Sequence, residues 1–356
     1  MENGTLASGA CVLQAGFQYT LFTAIYSAVF VLGSLENGAA LYLLTCRAAD
    51  PPRSYVYLVN LAVVDTLFVG VLPFKIHYHL HHNDWVFGDL ACRLTGSMFF
   101  LNIYLSIAFF TCICVDRYVA VLHPFAYVRV KGRHYGLVAA ALWAAAAGIT
   151  LPLVLGGPLD ARVRNATACF ESFAAAAWTG RLMPFNVCAL VFGFAVPFAV
   201  ILVSYPLIAR RIRRIPRSAR RRKALGTIGL ILLICVTCFL PFHLTHLLHF
   251  LMRVGLIRNC RFAASIYRMR RVTMALVSLN CCLNPVLYYF TATSKRWRWP
   301  FRFRTKTVEV YAIRGEQDRQ RPAAGTSRSG QRSAQRTGQA GAGVELLKMP
   351  KAFGAL

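Results

Sequence analysis

Seven stretches of strongly apolar sequence recur along the chain, at 19–45, 55–80, 90–122, 135–156, 182–209, 224–252 and 269–291. The hydrocarbon core of a bilayer is about 30 Å thick and takes a helix of about 20 residues to cross. No water is available there, so each backbone N–H and C=O must find its partner within the segment, which selects helix. The composition agrees: 57% of residues are hydrophobic and 15% charged, against about a quarter charged in soluble domains. The expected fold class is an all-α membrane protein, a seven-transmembrane-helix bundle.

An odd number of spans puts the two ends on opposite sides, and the basic residues orient them. Arg210, Arg211, Arg213, Arg214, Arg217, Arg220, Arg221, Arg222 and Lys223 follow span five, and the tail after 291 is rich in Arg. That side is expected to be cytoplasmic and the N-terminus extracellular, in a multi-pass plasma-membrane protein. Asn3-Gly4-Thr5 and Asn165-Ala166-Thr167 then fall outside as glycosylation acceptors at Asn3 and Asn165. The start, MENGTLASGACVLQ, lacks a basic region followed by an apolar core, so no cleavable signal peptide is expected and span one serves as the insertion signal. The net charge of +27 lies mostly beside the membrane, where it suits anionic lipid and not nucleic acid. Residues 305–345 are rich in Arg, Gln, Gly and Ser and read as a disordered tail. Ser327, Ser329 and Ser333 stand there among Arg residues as candidate phosphorylation sites.

Of twelve cysteines, Cys11, Cys92, Cys169 and Cys260 fall on the outer, oxidising side. Four cysteines allow three pairings. Joining Cys92 at the start of span three to Cys169 would lay the long fourth-to-fifth loop over the bundle. Cys11 with Cys260 would tie the N-terminus to the last outer loop.

Polar groups deep in apolar spans are costly and mark function. Asp65 is the clearest, and with Ser106, Asn280 and Asn284 it forms a candidate cluster for a small cation such as sodium. The same groups also suit a network that locks helices together. Apart from such a structural sodium ion, no cofactor is expected. Asp116-Arg117-Tyr118 closes span three, with Arg117 the expected switch. Prolines interrupt the spans at Pro73, Pro152, Pro197, Pro241 and Pro285, each removing a helix hydrogen bond. Motion is expected at Pro241 and Pro285.

Asn37, the LAVVD run ending at Asp65, Asp116-Arg117-Tyr118, Trp143, Pro197 with Tyr205, Cys238-Phe239-Leu240-Pro241 and Asn284-Pro285-Val286-Leu287-Tyr288 follow one another span by span. Together they resemble the rhodopsin-like G-protein-coupled receptors. FQYTLFTAIYSAVFVLG, LPFKIHYHLHHNDWVFGDLAC, ACFESF and NCCLNPVLYYF resemble the branch holding the purinergic, lysophosphatidic-acid and platelet-activating-factor receptors. Cys11 and Cys260 match that branch's second disulfide. The resemblance implies an outer ligand site, an outward swing of span six, and engagement of a heterotrimeric G protein through Arg117, Tyr205, Tyr288 and the basic third inner loop. Arrestin and receptor kinases are further expected partners. The chain then divides into an extracellular N-terminus (1–18), a receptor domain (19–291), a juxtamembrane amphipathic helix (292–304) and a cytoplasmic tail (305–356). Three positions depart from the family pattern. Glu36 replaces a small residue before Asn37; Arg222-Lys-Ala-Leu-Gly-Thr offers no acid on span six for Arg117; and no cysteine follows Cys282 to take a palmitoyl chain. Trp297, Trp299, Phe301 and Phe303, interleaved with Arg, suit an interfacial helix instead.

Arg253, Arg258, Arg261, Arg268, Arg270 and Arg271 crowd residues 253–271, where there is no acidic residue. Arg presents paired donors to phosphate or carboxylate. Lys75, Arg93, Arg270 and Arg271, with Tyr104 and His246, are the candidate ligand-binding residues, and Phe99, Phe100 and Phe242 supply an apolar floor for an acyl chain. An extracellular anionic lysophospholipid such as lysophosphatidic acid is expected, with a nucleotide as an alternative. A second alternative is proton sensing through His79, His81, His82 and His246, since histidine titrates near physiological pH and HLHHNDWVFG resembles the proton-sensing receptors at that stretch. Neither the continuous polar path and inverted repeats of a transporter nor the nucleophile–base or metal-ligand spacing of an enzyme is visible.

Overall fold

The computed structural model describes residues 15–46, 53–155, 160–163, 166–169, 182–213, 219–257 and 259–291. Within the unit that ends at Ser294, the expected spans appear as helices. Six are long and apolar enough to cross a membrane by length and composition: Gln18–Cys46, Tyr55–Leu80, Gly88–Leu122, Gly132–Pro152, Asn186–Ile212 and Leu225–Arg253. The seventh runs as Cys260–Ser278 and Asn280–Thr291. Its first turns, at the end of the bundle expected to be the outer one, carry Arg261, Arg268, Arg270 and Arg271, which dilute its hydropathy.

That seventh helix starts at Cys260 and not at 269 as expected from hydropathy. The cause is local: Asn259 caps it, its side-chain oxygen accepting from the N–H groups of Arg261 and Phe262 at 3.0 and 3.2 Å. The arginines therefore stand on a helix and not in a loop. Two elements were not anticipated. A six-residue helix, Pro124–Arg129, follows span three. A hairpin outside spans four and five pairs β1 (Asp160–Val163) antiparallel with β2 (Ala166–Cys169). The juxtamembrane helix, the tail, Asn3, Cys11 and Asn165 lie outside the described residues.

Prolines act differently along the bundle. Pro73 and Pro152 sit inside continuous α-helices. Pro197 and Pro241 instead follow five-residue π-helical turns, Val191–Ala195 and Cys235–Phe239. A proline ring gives no N–H and crowds the carbonyl four residues back, and a wider turn accommodates both. Pro285 follows the break at Leu279.

Span three is the axle, packing on spans two, four, five and six, while spans one and seven meet and close the ring. Small residues set two close approaches. A Cβ on Gly33 would come within 2.9 Å of Val69 on span two, and one on Gly193 within 2.6 Å of the Tyr104 ring on span three. Cys92 and Cys169 are joined, as expected, with their Cα atoms 5.6 Å apart. Around that bond the Trp85 N–H donates to the Thr167 carbonyl, and the Thr167 N–H to Asp84 Oδ1, both at 2.9 Å. The outer hairpin is thus fastened to the head of span three. Cys260 is also disulfide-bonded; the pairing expected for it, with Cys11, falls outside the described residues.

Candidate functional site

Three polar regions lie at different depths. In the middle, Asp65 is wholly buried. Asn102 and Asn284 each donate an amide N–H to one of its carboxylate oxygens, at 2.9 and 2.7 Å. Asn280 donates to Asn102 at 3.4 Å, and the Cys281 thiol to Asn280 at 3.2 Å. Ser106 stands one turn beyond Asn102, on the same face of span three. The fold therefore brings Asp65, Asn280 and Asn284 into one network, with Asn102 and Cys281 as members that the sequence reading missed. The spacing of Asn102 and Ser106, four apart in an apolar span, was the signal for the first.

The fit of a small hard cation can be tested on what these groups leave over. Ser106 Oγ and Asn284 Oδ1 are buried without a hydrogen-bond partner among the described residues. Asn284 already touches the Asp65 carboxylate and Ser106 lies one turn along span three from Asn102; carboxylate, amide and hydroxyl oxygens are the donor type a hard cation takes. No group of three His, Cys, Asp or Glu suited to a metal ion occurs among the described residues; a site of one carboxylate with hydroxyl and amide oxygens is of another kind.

At the inner end, Asp116 accepts from the Tyr135 hydroxyl at 2.7 Å and lies 3.3 Å from Arg117. Arg117 also donates to Ser54 at 2.6 Å. Tyr118 packs on His123, with ring centroids 5.8 Å apart. Asn37 donates to the Cys281 carbonyl, linking spans one and seven, and Trp143 donates to Asn60. Phe239 is buried against Phe110, and Tyr288 is buried with its hydroxyl unpartnered among the described residues. Tyr205 is half-buried on span five.

Nearer the outside, spans five, six and seven converge on His246. Arg270 Nη1 lies 2.6 Å from His246 Nδ1, and His246 Nε2 lies 2.7 Å from Asn186 Oδ1. Arginine only donates, so Nδ1 accepts and the ring proton sits on Nε2, facing the amide oxygen. The geometry describes a neutral His246. One turn outward, Arg253 donates to His249 at 3.4 Å. Arg271 is buried, donating to the Tyr267 hydroxyl at 2.7 Å with its guanidinium 4.8 Å from that ring's centre. One turn inward, His243 Nδ1 donates to the Phe239 carbonyl at 2.8 Å, and its ring stacks on Phe194 at 4.0 Å.

Below this cationic layer the side chains are aromatic. Phe242 stacks on His246 at 5.7 Å, Phe99 lies 6.2 Å from Phe242 and 5.7 Å from Phe100, and Tyr104 lies edge-on to His243 at 5.9 Å. Candidates Arg270, His246 and Tyr104 therefore belong to one region, while Arg271 is held beside it by Tyr267. Lys75 lies elsewhere, over the rings of Tyr78 and Trp85 at 5.6 and 5.8 Å. Arg93 is drawn to Asp89 and to the Val154 carbonyl, where it caps the outer end of span four. Asn186 was missed, although an amide in an apolar span is itself a signal.

The histidines proposed to sense protons do not gather. His79 is buried between spans one and two, stacked on Phe22 at 4.5 Å and 2.8 Å from Asn83. His81 stacks on His77 at 4.0 Å, and His82 meets Tyr19 at 5.0 Å. His246 stands apart on span six.

Residues 36–288 match the sequence model of the 7 transmembrane receptor (rhodopsin family). Among relatives, the chain is 35% identical to mouse lysophosphatidic acid receptor 4 over 303 residues, covering 81% of this chain and 79% of that protein. It is equally similar, at 35%, to mouse lysophosphatidic acid receptor 6, covering 79% and 83%. A purinoceptor of the turkey is 32% identical, covering 82% of each chain.

Proposed function

The chain belongs to the rhodopsin family of seven-transmembrane receptors, and from that premise we propose that it is a cell-surface receptor for an anionic lysophospholipid such as lysophosphatidic acid. It is a multi-pass plasma-membrane receptor that couples to G proteins, and not an enzyme. The observation that carries the ligand reading is the layering of its outer half. Arg253 on His249, Arg270 on His246 and Arg271 on Tyr267 line the outer parts of spans six and seven, above a continuous aromatic floor. A phosphate suits the first layer, through paired N–H donors. An acyl chain suits the second, at roughly 0.8 kcal/mol for each methylene buried. A nucleotide satisfies the cations equally well, and the purinoceptor relative supports it as the second reading; the apolar floor favours the lipid.

Proton sensing is the weaker reading. The four histidines assigned to it lie in separate surroundings, and adding a proton to His246 Nδ1 requires expelling Arg270. Further parts of the proposal are an extracellular N-terminus glycosylated at Asn3 and Asn165, and recruitment of arrestin and receptor kinases to the tail. A sodium ion at Asp65, Ser106, Asn280 and Asn284 completes it; it would supply positive charge to the buried carboxylate and stabilise the resting arrangement of spans two, three and seven.

The test is G-protein activation in cells expressing the chain, first titrating lysophosphatidic acid at fixed pH, then varying pH without lipid, with Arg270→Ala/Arg271→Ala in parallel. A saturable lipid response that the double variant loses supports the proposal. A response to pH alone, or to nucleotide alone, contradicts it.

A further inference from the structure

Span six offers no acidic residue at its inner end to hold Arg117, yet the guanidinium is engaged. One nitrogen donates to Ser54 Oγ at 2.6 Å, and the same group lies 3.3 Å from Asp116. Ser54 is 1% exposed, at the position just before span two begins. Its neighbours reach other elements. Arg53 donates to the carbonyls of Tyr127 and Val128 at 3.4 Å, and to that of Val130, at the C-terminal end of the helix Pro124–Arg129. The last carbonyls of a helix lack intrahelical partners, and a cation suits them. Tyr55 donates from its hydroxyl to the Leu44 carbonyl of span one at 2.6 Å. Three consecutive residues thus fasten span one, span three and the inner-loop helix to the foot of span two.

We infer that Ser54 is a positioning residue for G-protein activation: it is the catch that holds Arg117 in the resting arrangement, in the role that an acid on span six cannot fill here. A guanidinium committed to Ser54 and Asp116 points across the bundle toward span two, and a G protein gains it only when that contact opens. The hydroxyl is buried, so no water replaces it at once when it is lost. Deleting it removes an interaction made in one of two states, which shifts their ratio by that difference. A rise of about three- to tenfold in ligand-free signalling follows, the tenfold limit corresponding to about 1.4 kcal/mol.

The experiment measures ligand-free guanine-nucleotide exchange on a panel of purified G-protein heterotrimers, using the full-length receptor reconstituted in lipid at matched amounts. Ser54→Ala is expected to raise exchange over the wild-type chain, and Ser54→Thr, which keeps a hydroxyl, to hold it near wild type. If Ser54→Ala does not accumulate, Ser54→Cys, nearly the same shape with a weakly accepting sulfur, is expected to raise exchange likewise. Unchanged or lower exchange in the Ala or Cys variant overturns the inference, as does a Thr variant as active as the Ala variant. No ligand enters the assay, so its failure is separate from any failure of the lysophospholipid reading.

Discussion

The inner and middle parts of the bundle and its outer end handle polar groups differently. In the inner and middle parts Asp65 meets Asn102 and Asn284, Asp116 meets Tyr135, and Arg117 meets Ser54, each partner on another element. At the outer end, arginines gather beside the histidines of span six, Arg270 on His246 and Arg253 on His249, while Arg93 pairs with Asp89. Buried charge in low dielectric is costly unless compensated. The first arrangement sets a charged group among complementary donors and acceptors; the second concentrates positive charge at one end of spans six and seven, which suits an anion brought in from outside. On the present proposal this difference separates the transmitting part of the receptor from the receiving part.

Substitutions can break or sharpen that comparison. The largest effect is expected from Cys92→Ala, which releases the outer hairpin from span three; loss of such a bond costs about 2–5 kcal/mol, and cell-surface expression with thermal unfolding of the solubilised protein checks it. Arg270→Ala/Arg271→Ala is expected to lower lysophosphatidic acid potency about 100-fold, the loss of roughly 3 kcal/mol of charged hydrogen bonding, with surface expression little changed. If instead expression collapses and potency of the remaining receptor holds, the outer cluster is structural. Gly193→Ala drives a Cβ into the Tyr104 ring and is expected to destabilise by about 1–3 kcal/mol. Thermal unfolding reads that loss, and Tyr104→Leu in the same chain is expected to recover part of it. The smallest effect concerns the middle network. Replacing sodium with a large organic cation is expected to raise agonist affinity a few-fold in the wild-type chain and to leave Asp65→Asn unmoved; equal responses in both would remove sodium from the account.

Much of the inner and middle region was legible in the sequence because polar residues in apolar spans stand out, and Asp65, Asp116, Arg117, Asn280 and Asn284 all did. Their partners were less so. Ser54 and Tyr135 lie near span ends, where polar residues are ordinary, and Cys281 reads as apolar. At the outer end, the arginines were legible as a cluster, but their sorting was not. Hydropathy placed the start of span seven too late because charged residues mask a helix that Asn259 caps. Helical phase then decides which arginines face His246 and Tyr267. Arg93 looked like its neighbours in sequence, and it is the fold that gives it Asp89 and the end of span four. The scatter of the histidines has the same origin, since consecutive residues such as His81 and His82 leave a helix end in different directions, the second with φ of 53°.

The most direct test of the central claim compares two ligands that differ by one group. Lysophosphatidic acid and the monoacylglycerol with the same acyl chain are titrated in equilibrium binding to the purified receptor in lipid, with Arg270→Ala/Arg271→Ala alongside. The account predicts saturable binding of the phosphate-bearing lipid, at least about 100-fold tighter than the neutral one, and a discrimination that collapses in the double variant. Equal binding of the two lipids, or discrimination that survives loss of both arginines, would contradict it.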